Sequence, residues 1–206
     1  MYNKNVKKIN LYYNEKNTLI IAFLLNFIVF LVELYYGYIE NSAALLGDSA
    51  HNIGDAAILG SSIFVISSTH KVKARLAIIK CVVWAGFGLL ALYQVFISYR
   101  YGLIPSAEII GWIGFSALLM NIFVTLLLAK FKDNDVNIKS AFICCRNDAI
   151  GNILVILAGF LVYKLQSNWP DLVAGIIIST IILYSSISLG IESYRVAKTG
   201  EYNVCC

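Results

Sequence analysis

Six apolar stretches divide this 206-residue chain, each close to the ~20 residues needed to cross the hydrocarbon core of a bilayer. They cover 19–38, 43–67, 77–97, 109–129, 141–165 and 172–191. In lipid, every backbone N–H and C=O must be satisfied within the protein, so only helices and closed barrels can span. Barrel strands are about half this length and alternate in polarity. Continuous apolar runs of this length therefore predict an all-α, polytopic membrane protein with six transmembrane helices.

Composition agrees. Hydrophobic residues make up 59% of the chain and charged residues only 14%, whereas soluble domains carry about 25% charged residues. No stretch is polar enough for a separate soluble domain. The expected organisation is a basic cytoplasmic N-terminal tail (1–17), one six-helix membrane domain (18–193) and a short cytoplasmic tail (194–206). The N-terminal residues, with Lys4, Lys7, Lys8 and Lys16, do not read as a cleavable signal: the apolar run after them is of full membrane length.

Charge sets the orientation. The two tails and the loops 70–75 and 130–139 hold twelve of the sixteen Lys and Arg residues. The loops near Glu40, Pro105 and Ser167 are almost without them. The positive-inside rule then places both termini in the cytoplasm, which an even number of spans requires. The net charge of +4 is explained as a topology signal beside an anionic leaflet, with no nucleic-acid partner needed. Cys81, Cys144 and Cys145 lie in apolar segments, and Cys205-Cys206 are adjacent. Adjacent cysteines pair only with strain, so free thiols on a reducing side are expected.

Within the second stretch lies Gly47-Asp48-Ser49-Ala50-His51-Asn52-Ile53-Gly54-Asp55. Asp48, His51 and Asp55 are spaced i, i+3, i+7 and share one helix face. A carboxylate at the centre of a membrane helix costs roughly 2.5–3.5 kcal/mol on insertion scales. Two carboxylates and an imidazole within two turns suggest a divalent cation as the compensating partner. The fifth stretch echoes the second: Cys144-x3-Asp148 repeats the spacing of His51-x3-Asp55. The two spans run in opposite directions, an arrangement that can set the pairs side by side at similar depth. His51, Asp55, Asp148 and Cys144 would then offer one nitrogen, two carboxylates and one sulfur. That set suits tetrahedral Zn²⁺ and tolerates Cd²⁺ or Co²⁺. Mg²⁺ and Ca²⁺ prefer larger all-oxygen shells.

Other readings of the same residues stay open. Arg146 offers Asp148 or Asp48 an ion pair that merely holds the bundle together. Cys144 has packing as its alternative, which is also the expectation for Cys145 and Cys81. Asp48, one turn nearer the helix start, either supports the ligands or stands on the metal's access path. Glu33, with Asn26 two turns before it, faces either the polar interior or the outer interface.

Asn26, Glu33, Gly37, Ser42-Ala43-Ala44-Leu45-Leu46, Asp48-Ser49-Ala50-His51 and Asp55 together resemble the N…E…G…S-x-A-L-x-x-D-A-x-H-x-x-x-D pattern of the cation diffusion facilitator family of metal/proton antiporters. Asn121 resembles the family's fourth-span asparagine. Asp148 matches the aspartate of its fifth-span H-x-x-x-D, and Trp169-Pro170-Asp171 with Gly175 looks like the start of its sixth span. The resemblance implies His51, Asp55 and Asp148 as transport-site ligands. It implies Zn²⁺, or Cd²⁺ or Co²⁺, as cargo exchanged for protons, with no prosthetic group. It also implies a homodimer in a bacterial inner membrane. The chain departs from the pattern at Cys144, where the family carries histidine. It also looks like a short branch without the usual cytoplasmic domain after the sixth span. An imidazole ordinarily titrates near pH 6.5, so His51 is well suited to trade a proton for a metal. The rival classes are a metal-dependent membrane enzyme and a non-transporting auxiliary protein. The aspartate-rich run of a lipid phosphotransferase is not present.

Overall fold

The computed structural model describes residues 2–65, 70–131 and 136–199. Side chains are described for 17–57, 59–60, 74–131, 142–143, 145–146 and 148–199. These residues form six α-helices: α1 (Tyr2–Ile39), α2 (Ala43–Val65), α3 (His70–Tyr101), α4 (Ala107–Ala129), α5 (Val136–Leu165) and α6 (Trp169–Thr199). The helices outrun the apolar stretches at several ends. Helical hydrogen bonding has no reason to stop where the lipid stops, so polarity marks the span and not the helix.

The six helices and the six apolar stretches correspond one to one, in chain order. Among the described residues five of the six helices carry a membrane-length stretch of high hydropathy: Asn17–Ile39, Ala74–Tyr101, Ala107–Ala129, Asp148–Leu165 and Trp169–Thr199. The exception is α2, which carries Asp48, His51, Asn52 and Asp55. Its packing explains how it can be polar. Residues 42–50 are buried without a break, followed by Asn52, Gly54, Asp55, Ala56, Leu59 and Gly60. Helices α1, α3, α5 and α6 all pack against it. A helix enclosed on all sides by protein need not be apolar enough for lipid. Helices α1, α2, α5 and α4 close a ring of four, while α3 and α6 form a pair beside α2.

Small residues allow this enclosure. A Cβ on Gly175 would stand 2.6 Å from Ala43 Cβ and 2.9 Å from its carbonyl carbon, so α6 and α2 touch almost backbone to backbone. Gly37 brings α1 equally close, its absent Cβ falling 2.9 Å from Leu46 N. The connection from α1 to α2 is three residues long and turns at Asn41 with φ +57°, a left-handed conformation that asparagine tolerates.

The start of α2 is held by α6. Ser42 Oγ accepts from Leu45 N at 3.2 Å, an N-cap within the chain segment. Asp171 supplies the rest from across the interface. Its Oδ2 accepts from Ala43 N at 2.7 Å, and its Oδ1 accepts from Ser42 Oγ at 2.6 Å and from Ala44 N at 3.3 Å. A carboxylate is also the right charge for a helix N-terminus. The neighbouring turns are tied to the same end of the bundle. Ser98 Oγ donates to Asn41 O at 3.0 Å, and Asn168 Nδ2 donates to Ser98 O at 2.9 Å.

Removing this cap leaves buried N–H groups unpaired, at about 1–3 kcal/mol for each group that water cannot reach. Asp171→Ala is therefore expected to lower the thermal unfolding temperature in detergent by several degrees. Asp171→Asn, which keeps one acceptor, is expected to lose less. Equal losses for the two variants would contradict the capping role.

Candidate metal site

Helix α2 presents His51 and Asp55 one turn apart, and α5 presents Asp148 against them. One ligand atom from each of the three residues lies within 4.8 Å of the others. His51 Nε2 is in close contact with Asp148 Oδ1. The Asp55 and Asp148 carboxyls are within hydrogen-bond reach of each other. Asp55 and Asp148 are 3% and 1% exposed, and 26% of the His51 side chain is accessible. The imidazole is thus the most accessible of the three side chains. Asp55 Oδ2 and Asp148 Oδ2 are buried and accept no hydrogen bond from the described residues. A donor set of one imidazole nitrogen and two carboxylate oxygens, with unsatisfied buried oxygens, fits a Zn²⁺-type ion with a further position left for water or a fourth side chain.

The surrounding residues fix these three. The His51 ring lies against the Trp84 indole of α3, with centroids 6.0 Å apart and an interplanar angle of 45°. Gly54 makes room for that indole, since a Cβ there would fall 2.7 Å from Trp84 Nε1. On α5, Asn152 Nδ2 donates to Asp148 O at 2.9 Å. On α2, Asn52 Nδ2 reaches Asp48 O at 3.3 Å. The Asp-x3-Asn spacing thus recurs on both helices.

The remaining candidates separate. Asp48 is 2% exposed and lies outside the three-residue cluster, toward the α1–α2 turn. Its carboxyl is within reach of Glu33 on α1. Glu33 itself is fully buried, which decides between its two expected surroundings in favour of the interior. The side chain of Cys144 lies outside the described residues, as do Cys205 and Cys206. Arg146 is exposed, and among the described residues Asp148 has His51, not Arg146, as its ionic partner. Cys145 is buried in an apolar cluster with Ala22, Leu59 and Val124, and Cys81 is also buried, as packing residues should be. Asn121 is buried, and neither amide atom has a hydrogen-bond partner among the described residues.

A multi-pass helical membrane protein with a buried imidazole–dicarboxylate group is the class these features define. The pattern of the cation efflux transmembrane domain matches residues 19–196, and the chain belongs to that family. It is 26% identical over 201 residues to the cadmium, cobalt and zinc/H(+)-K(+) antiporter of Bacillus subtilis, covering 90% of this chain and 64% of that protein. It is 24% identical over 197 residues to the zinc transporter ZitB of Yersinia pestis, covering 88% of this chain and 62% of that protein. The chain therefore spans somewhat less than two thirds of the length of these relatives.

If Gly54 exists to seat Trp84 on His51, Gly54→Ala must push the indole away. The change is expected to alter the emission of Trp84 in a chain whose Trp112 and Trp169 are replaced by Phe. It should also lower stability by about 1–3 kcal/mol, the usual cost of overpacking. An unchanged spectrum would mean that the indole does not rest there.

Proposed function

We propose that this chain exports a divalent transition-metal ion from the cytoplasm in exchange for protons. Zn²⁺ is the first candidate, with Cd²⁺ and Co²⁺ next. The observation that carries the proposal is the approach of His51, Asp55 and Asp148 to within 4.8 Å in the interior of the bundle. Family membership and the names of the two relatives support the same reading.

The mechanism follows from competition for lone pairs. A metal binds the imidazole and the carboxylates only in their deprotonated forms, so binding releases protons. Where protons are abundant, they retake the ligands and the metal leaves. Access alternates between the two sides around this one position. In the orientation set by the positive-inside rule, the α1–α2 turn lies on the outer face. The six-helix region 18–193 of an inner-membrane protein is the working unit, and two copies pair within the bilayer. Cross-linking in membranes reads that pairing.

Everted membrane vesicles provide the test. Acidifying the lumen is expected to drive Zn²⁺ uptake, and an ionophore that collapses the proton gradient should abolish it. His51→Ala and Asp55→Ala should each reduce uptake to the level of vesicles without the protein. Wild-type uptake by Asp55→Ala would sink the assignment of the site.

Cys144 supplies a sharper test of metal choice. We propose that its thiolate is the fourth ligand, a soft donor that favours Cd²⁺ over a site with two imidazoles. Cys144→His is expected to keep transport and shift the ratio of Zn²⁺ to Cd²⁺ rates toward Zn²⁺. An unchanged ratio would reduce Cys144 to a packing residue.

A further inference from the structure

A second buried polar group lies beside the first. It consists of Glu33 on α1 with Asp48 and Asn52 on α2. Glu33 and Asn52 are fully buried and Asp48 nearly so. Asn52 Nδ2 donates to Glu33 Oε2 at 2.7 Å, and the Glu33 and Asp48 carboxyls approach within hydrogen-bond reach. Yet Glu33 Oε1, Asp48 Oδ2 and Asn52 Oδ1 are all buried and accept no hydrogen bond from the described residues. Carboxyl oxygens this close repel one another unless a proton or a cation lies between them, and the three unpaired oxygens leave room for either.

We propose that Glu33, Asp48 and Asn52 form a second divalent-cation position, taken by the metal after it leaves His51, Asp55 and Asp148. This rests on the transport reading of the first site. Charge selects the occupant: two carboxylates neutralise a divalent ion, whereas a monovalent ion leaves the buried group negative. The donors are oxygens alone. Without an imidazole they hold a borderline metal such as Zn²⁺ or Co²⁺ more weakly than the first site does. A weaker position on the way out favours release.

The placement suits a single step. Asp48 precedes His51 by three residues, about 4.5 Å along the α2 axis. On α5, Gly151 lies three residues from Asp148, and a Cβ there would be 3.6 Å from Asp48 Oδ1. Having no side chain, Gly151 puts nothing from α5 between the two positions at that turn.

Cobalt reads both positions in the purified 206-residue chain, because four-coordinate Co²⁺ absorbs strongly and oxygen-bound six-coordinate Co²⁺ weakly. The unaltered chain is expected to show the strong bands of the first site. The triple variant His51→Ala, Asp55→Asn, Asp148→Asn should lose those bands. It should still bind one Co²⁺ per chain by equilibrium dialysis, about tenfold or more weakly. Adding Glu33→Gln to it should abolish that binding. Retained binding after this addition, or none in a triple variant with normal helicity, would overturn the proposal.

Should the triple variant fail to fold, Glu33→Gln alone decides. Strong cobalt bands with Zn²⁺ efflux slowed about tenfold support the second position, and strong bands with unchanged efflux overturn it. A complete lack of cobalt binding by the unaltered chain would be a different result. It would remove the transport reading itself, and the second position with it.

Discussion

The structure depends on keeping the charged and polar face of α2 out of lipid. Asp48, His51, Asn52 and Asp55 occupy the middle of a helix that must lie among membrane-spanning neighbours. Exposed to hydrocarbon, each carboxylate would be costly. The solution is enclosure: four helices pack around α2, and among the described residues the large apolar side chains that face outward belong to the others. Exposed Ile79, Val82 and Phe96 on α3, and Ile122, Phe123 and Leu126 on α4, show where lipid is met. The site is thus the reason for the arrangement of the bundle as much as its product.

Enclosure needs close backbone approach, and close approach needs small residues at particular places. Gly175 lets α6 touch α2 beside Ala43, and Gly37 does the same for α1 beside Leu46. Asp171 then fixes the α2–α6 contact at one level by taking three hydrogen bonds from residues 42–44. One end of α2 is anchored, and the candidate ligands His51 and Asp55 lie about two to three turns further along. A hydrogen-bonded end and a more polar middle divide α2 into a fixed part and a part whose contacts involve ionisable groups.

Much of the site was legible in the sequence. Ionisable residues at helical spacing inside an apolar stretch have few explanations, and the repeat of that spacing at 144–148 pointed to α5 as the partner helix. The positions of His51, Asp55 and Asp148 follow from that geometry. What spacing alone did not give was the division of the stripe. Asp48 shares a face with His51 and Asp55, but its carboxyl meets Glu33. That depends on where α1 passes, and no periodicity within α2 encodes it. The cross-helix cap was equally hidden: Ser42 announces an N-cap by residue type, whereas Asp171 is 129 residues away.

Two acidic pairs share α2 but draw their partners from different helices. Asp55 meets Asp148 of α5, and Asp48 meets Glu33 of α1. A cation between the first pair would draw α2 and α5 together, and its departure would leave two carboxylates that repel unless a proton returns. The same holds for the second pair with α1. A ligand shifts a conformational equilibrium only by the difference in its interactions with the two states. The proposed sequential occupation of the two pairs would supply such a difference, since it would strengthen the α2–α5 and the α1–α2 contacts in turn. Protons returning to the same carboxylates remove the repulsion without bridging the helices in the way a metal does. On this view the helix that carries the ligands is also the one whose packing responds to them.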